Sequence, residues 1–330
     1  MSLSTIKIGS DNVTEIGFGA MGLSAFYGEV PSDDDRFKFL DAVLEKGCTN
    51  WDTADMYGDS EALLGKWFKR TGKRDQIFLA SKFGISAEGA QNSAEYMRAS
   101  LEKSLKLLSS DHLDLFYVHR INKNIPIEKT IRSMAELVKE GKIRYIGLSE
   151  ISAETLRRAH AIHPIAAVQV EYSPFALDIE RNGLLKACRE LGVAVVAYSP
   201  LGRGLLTGAY KKNSDFPDDD FRKHIPKYSD DNLPKILGVV QRLTEIGKTH
   251  NATAGQICLA WLKAQGNDII PIPGTKKVKY LSENLDAVKI KLNAEEVASI
   301  RKVVEMANID GLDRYPAAYN VGLYEDTVAE

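Results

Sequence analysis

Asp52 and Tyr57 stand five residues apart in Thr49-Asn50-Trp51-Asp52-Thr53-Ala54-Asp55-Met56-Tyr57-Gly58, where a short strand runs into a loop. A carboxylate and a phenol at the carboxyl end of a parallel strand project into the cleft where such sheets bind ligands. Taken alone, the stretch is read equally well as a turn-capping aspartate and a half-buried tyrosine. Lys82 and His119 weigh against packing alone, because each closes another apolar strand, Ile77–Lys82 and Leu113–His119. A lysine in that place either snorkels at an edge or is buried with a partner, and Asp52 supplies the partner. An ammonium held beside Tyr57 favours phenolate and lowers the tyrosine's pKa, while Asp52 keeps the lysine charged. A tyrosine tuned in this way suits proton donation to a carbonyl oxygen that is gaining negative charge, with His119 beside it.

Four such side chains meet only if their strands share one end of one sheet. Residues 5–16 read as a hairpin around Gly9-Ser10-Asp11-Asn12, and a regular alternation follows. Strands are expected at 17–19, up to Asp52, and at 77–82, 113–119, 143–149, 167–171, 193–198 and 269–272. Stretches of helical periodicity separate them, at 37–44, 62–68, 94–108, 127–138, 155–161, 183–191, 236–249 and 254–263. Eight short apolar strands alternating with amphipathic helices predict an α/β fold, a (β/α)8 barrel rather than an open doubly wound sheet. Asp52, Lys82, His119, Ser149, Gln169 and Tyr198 then line one mouth, with Tyr57 just beyond. Gly17-Phe18-Gly19-Ala20-Met21-Gly22 matches the dinucleotide fingerprint in letters only. No helix opens at its last glycine to hold a pyrophosphate, so these glycines mark a strand and its exit.

A chain of 330 residues suits one such barrel, with residues 200–232 as a long insert and 307–330 as a tail. A net charge of -2 gives no electrostatic reason to seek nucleic acid or anionic lipid. Cys48, Cys188 and Cys258 are odd in number and widely spaced, so neither a disulfide framework nor a metal site is read, and a reducing compartment is expected. No apolar run approaches a membrane span and the first residues lack a signal pattern, which makes the cytoplasm the expected location. Nothing in the sequence fixes the oligomeric state.

These residues resemble the aldo-keto reductase superfamily, whose Asp, Tyr, Lys and His tetrad matches Asp52, Tyr57, Lys82 and His119. Gly47 ahead of Trp51-Asp52-Thr53-Ala54, Gly147-Leu148-Ser149, Tyr198-Ser199-Pro200-Leu201 and Ile272-Pro273-Gly274-Thr275 carry the likeness nearly end to end. Within the superfamily the chain is most similar to the branch of YakC-like and perakine-reductase-like enzymes. The resemblance implies an NADPH-dependent reductase of aldehydes or ketones, with NADPH (NADP+ after turnover) lying across the mouth and Tyr57 as proton donor. It implies that Ser149 and Gln169 hold the carboxamide, that Tyr198 stacks on the nicotinamide, and that Ser199, Pro200, Leu201 and Gly202 follow the pyrophosphate with Arg203 adding to the clamp. At the adenine end it implies Gly274, Thr275, Lys276, Lys277, Glu283 and Asn284, and two adjacent lysines favour a 2′-phosphate. No metal is implied.

Two positions depart from the pattern. Glu150 stands where many members carry Asn and cannot donate an amide hydrogen, and Tyr280 stands where many carry Arg or Gln. Substrate choice is expected to rest on loop 23–31, the insert and the tail, with Phe26, Tyr27, Phe175, Phe216, Phe221, Tyr228, Tyr315 and Tyr319 as candidate lining for a small carbonyl compound. Two rival functions stay open: a non-catalytic NADPH-binding sensor of the kind that serves potassium channels, and a Schiff-base lyase using Lys82, against which Asp52 argues.

Overall fold

The computed structural model describes residues 3–218, 220–309, 312–315 and 322–330. Strands β1 (Thr5–Ile8) and β2 (Asp11–Thr14) form the expected hairpin. Ile6, Ile8 and Val13 pack against inward residues of the main sheet, including Ala80, Leu115, Ala167, Val196 and Ile270, so the hairpin plugs the floor.

The main sheet runs through β3 (Phe18–Gly19), β4 (Asn50–Asp52) and β5 (Phe78–Phe83). After a small hairpin of β6 (Ile85–Ser86) and β7 (Gly89–Ala90), it continues through β8 (Leu113–Val118), β9 (Ile143–Ser149), β10 (Ile165–Glu171), β11 (Ala194–Tyr198) and β12 (Ile269–Pro271). The eight main strands pair in parallel in chain order. The seam closes where Gly17 and Gly19 donate to the carbonyls of Pro271 and Pro273 at 2.9 and 3.4 Å. A Cβ on Gly19 would lie 2.8 Å from the Ile272 carbonyl oxygen, so the glycines of the false fingerprint let first and last strands meet.

Helices α1 (Asp33–Glu45), α2 (Ser60–Thr71), α3 (Ala94–Leu108), α4 (Ile127–Lys139), α5 (Ala153–Ile162), α6 (Asp178–Arg181), α7 (Leu184–Leu191), α8 (Leu233–His250), α9 (Ala254–Ala264), α10 (Val278–Asp286) and α11 (Ala294–Ala307) surround the strands. Period-two alternation sorts each strand. Trp51 faces outward against Trp67 and Phe68 while Asp52 faces inward, and Phe83 stacks on Phe116 outside while Lys82 and Tyr117 point in. Gly147 leaves room for Tyr117 beneath the mouth, since a Cβ there would approach its ring to 2.4 Å.

The expected strands all form, with ends shifted by a residue or two. The expectations extended no helix beyond residue 263, yet α10 and α11 are present. The signal was available for α11: Asn293 accepts from the Glu296 backbone at 2.9 Å and Glu296 answers in a capping box. The insert folds as a run of 3-10 turns pinned by Arg222, whose guanidinium pairs with Asp220 and lies over Tyr27, Tyr210 and Phe216. Part of the tail docks back: Tyr324 donates to the Glu150 carbonyl at 2.7 Å, and Arg158 donates to the carbonyls of Thr327 and Val328. Pro316 and Tyr319 of the tail lie outside the described residues. No helix among those described is long and apolar enough to cross a membrane, and no cluster of His, Cys, Asp or Glu among them could hold a metal ion.

Candidate active site

Parallel register sets Asp52, Lys82 and His119 side by side at the strand ends. Asp52 pairs with Ala80, Lys82 with Tyr117, and the His119 backbone donates to Phe83 at 2.8 Å. Lys82 is fully buried, and its Nζ reaches Asp52 Oδ1 at 2.5 Å, the Thr53 carbonyl at 2.7 Å and the Tyr57 hydroxyl at 3.4 Å. Gln169 Nε2 donates to the other Asp52 oxygen at 2.7 Å. The His119 ring stands edge-on to the Tyr57 ring with centroids 5.8 Å apart. All four residues of the expected tetrad therefore share one pocket.

Burial and partners set their charge states. Burial works against the Lys82 ammonium, but Asp52 and Tyr57 outweigh it and its pKa is raised. Burial raises the Asp52 carboxyl, with Lys82 and Gln169 pulling the other way. Lys82 is the stronger base, so the pair's proton rests on the amine. Burial holds His119 well below the usual imidazole value, helped by the positive charges of Arg120 and Lys82, so the ring is neutral. Its Nδ1 is buried with no partner among the described residues, which leaves Nε2 as the nitrogen available to a ligand. One expectation is corrected: the Tyr57 pKa is raised, because desolvation of the phenol exceeds the stabilisation of phenolate by Lys82. Tyr57 therefore keeps its proton at neutral pH.

The other wall of the mouth is a polar network. Glu150, in a left-handed backbone conformation with φ 53°, buries its carboxylate completely. That carboxylate accepts from Arg314 at 3.0 Å, Tyr198 at 2.8 Å and the Glu171 backbone at 2.9 Å. Burial would raise the Glu150 carboxyl, yet Arg314 and Arg120 bring it below the ordinary glutamate value. Tyr198 also shares a hydrogen bond with Tyr315 at 2.8 Å. Arg203, expected in the phosphate clamp, is turned into this network: it pairs with Glu171 at 3.2 Å, donates to the Arg314 carbonyl at 3.0 Å and lies over the Tyr315 ring. Phe26, Phe221 and Tyr315 meet here from the three expected specificity loops, whereas Phe175, Phe216 and Tyr228 are core residues.

Ser149 and Gln169 are register partners at adjacent strand ends, and the positive φ of Ser199, Gly202 and Arg203 turns the chain sharply after Tyr198. The adenine-end positions are gathered between β12 and α10. Lys276 Nζ is occupied by the carbonyls of Tyr27 and Glu29 at 2.7 and 2.8 Å, which ties loop 23–31 to this strand exit. Lys277 is exposed and, like Lys279, lies over the exposed Tyr280 ring, while Glu283 is half-buried and Asn284 buried. Gly274 and Thr275 complete the turn, Thr275 Oγ1 accepting from the Lys277 backbone. The sequence reading missed Arg120, although it directly follows His119. Arg314 was given no role there, and Tyr315 was expected only as pocket lining.

A (β/α)8 barrel that gathers titratable side chains at the carboxyl ends of its strands is the frame of an enzyme. The aldo/keto reductase family pattern matches residues 15–305, and the chain belongs to that family. It is 59% identical over 318 residues to aldo-keto reductase str7 of Strobilurus tenacellus, covering 94% of this chain and 95% of that protein. It is 49% identical over 337 residues to aldo-keto reductase yakc [NADP(+)] of Schizosaccharomyces pombe, covering 99% and 98%. Among solved structures, the thermostable aldo-keto reductase Tm1743 in complex with epalrestat aligns with TM-score 0.75 at 32% identity, over 92% of this chain and 100% of its own. The glycerol dehydrogenase AKR11B4 of Gluconobacter oxydans aligns with TM-score 0.85 at 25% identity, over 95% and 98%.

Proposed function

We propose that this chain is an NADPH-dependent carbonyl reductase, working as one barrel unit on a small aldehyde or ketone. The observation that carries the reading is the buried Lys82 ammonium, 2.5 Å from Asp52 and 3.4 Å from the Tyr57 hydroxyl, with His119 edge-on to the same phenol. A bound nicotinamide supplies the hydride. Tyr57 donates its proton to the carbonyl oxygen, and the Lys82 charge stabilises the phenolate left behind. Asp52 holds Lys82 in place and charged, and Gln169 fixes Asp52. Neutral His119 offers Nε2 to orient the carbonyl.

The cofactor fits the residues present in part. Ser149 gives a hydroxyl, Tyr198 a ring held by Glu150, residues 199–202 a turned backbone, and exposed Lys277 and Lys279 positive charge for a 2′-phosphate. Glu150 takes no part in carboxamide binding on this reading, because its oxygens are engaged by Arg314, Tyr198 and Glu171. A Schiff-base role for Lys82 conflicts with its raised pKa. The test is NADPH titration by fluorescence followed by nicotinamide absorbance over a panel of aromatic and aliphatic aldehydes and ketones. Binding with turnover of at least one class is expected. Absence of nicotinamide binding sinks the reading, and binding without any turnover favours a sensor.

A further inference from the structure

Arg120 leaves β8 directly after His119, and its guanidinium lies against the end of β9. Nη1 donates to the His119 carbonyl at 2.7 Å and reaches Ser149 Oγ at 3.4 Å. Nε and Nη2 have no acceptor among the described residues, and no carboxylate among them comes within ion-pairing distance. The other arginines around the mouth differ. Arg36 faces Asp59 at 2.8 Å, Arg203 faces Glu171 at 3.2 Å, Arg222 faces Asp220 at 2.6 Å and Arg314 faces Glu150 at 3.0 Å. Arg120 is half-buried, so its charge is partly stripped of water with no direct ion-pair partner among the described residues. The charge acts at longer range on Tyr198, Tyr315, Glu150 and Tyr57. Near Gly322 the tail comes close to the Arg120 side-chain stem.

A planar guanidinium with two free donor sites is matched by a carboxylate, which binds it bidentately. We propose that Arg120 is a specificity-determining residue that recognises a carboxylate on the substrate, so that this barrel selects carbonyl compounds that are also anions. The proposal rests on the carbonyl-reductase reading of the same site. The substrate's carboxylate would meet the Nε and Nη2 edge of Arg120 while its carbonyl meets Tyr57 and His119.

The experiment compares kcat/KM for 4-carboxybenzaldehyde and benzaldehyde in wild type, Arg120→Gln and Arg120→Lys, and measures benzoate binding to the NADPH-loaded protein by calorimetry. Wild type is expected to prefer the carboxylated aldehyde through KM. Arg120→Gln should reduce that preference by about tenfold or more, the scale of a lost charge-assisted hydrogen bond, and Arg120→Lys should retain part of it. Benzoate should bind wild type and not Arg120→Gln. An equal substrate ratio in wild type and Arg120→Gln overturns the proposal, as does a parallel loss on both aldehydes with weaker NADPH binding, which would make Arg120 a cofactor residue. If wild type turns over neither aldehyde, the reductase reading is in trouble, and the benzoate titration still decides the role of Arg120.

Discussion

On the wall formed by β4, β5 and β8, a buried ion pair, Lys82 with Asp52, stands beneath a phenol and a neutral imidazole that have polar atoms to spare. On the wall formed by β9, β10 and β11, two carboxylates and two guanidiniums, Glu150, Glu171, Arg203 and Arg314, use their polar atoms on one another, on Tyr198 and Tyr315, and on neighbouring backbone. Both walls are charge-balanced, but the first leaves reactive groups unsatisfied and the second satisfies nearly everything in order to hold loops. On the proposed function, chemistry and shape fall to different sets of buried charges. Arg120, between them, touches both through the His119 carbonyl and Ser149 but has no ion-pair partner among the described residues.

Lys82→Met breaks the comparison most severely. It removes the charge that stabilises the Tyr57 phenolate, and kcat is expected to fall by about a thousandfold, within the range for general acid–base groups. Arg314→Met breaks a pair on the other wall and leaves Glu150 buried without its cation. A loss of about 3 kcal/mol in urea unfolding is expected, with faster amide exchange in residues 322–330, weaker NADPH binding and a kcat within about tenfold of wild type. A kcat collapse equal to that of Lys82→Met would erase the division between the walls.

The first wall was legible in the sequence because period-two alternation and strand ends are local signals. Asp52, Lys82 and His119 each close an apolar run, and register does the rest. The second wall was not, because its pairs join residues far apart in the chain: Glu150 and Arg314 are separated by 164 positions. Nothing local shows that Glu150 answers an arginine of the tail or that Arg203 points inward. The direction of the Tyr57 shift was misread for a related reason, since burial is a property of the closed barrel and only the Lys82 charge is visible in the sequence.

Acid should sharpen the contrast. The Glu150 pKa is lowered in the folded protein, so its stabilising contribution is complete above the unfolded value near 4.5 and is lost as pH falls further. Limited proteolysis should cut the tail sooner as pH falls below the unfolded glutamate value, where that contribution is lost. The smallest effect concerns Asp55, whose pKa is pushed up to about 7, chiefly by burial, and whose Oδ1 has no partner among the described residues. A raised carboxyl binds more protons folded than unfolded, so this contribution is greatest below the unfolded value near 3.8 and falls as pH rises towards 7. Asp55→Asn should flatten that slope and stabilise the protein at pH 8 by about 1 kcal/mol, read from denaturant midpoints across pH.

The central claim, that the Tyr57 hydroxyl is the proton donor, is tested most directly by Tyr57→Phe, which removes one oxygen and leaves the ring beside His119. NADPH affinity by fluorescence titration should match wild type, while single-turnover reduction of an accepted aldehyde slows by about a thousandfold. Turnover within a few-fold of wild type, with the cofactor bound, would contradict the account.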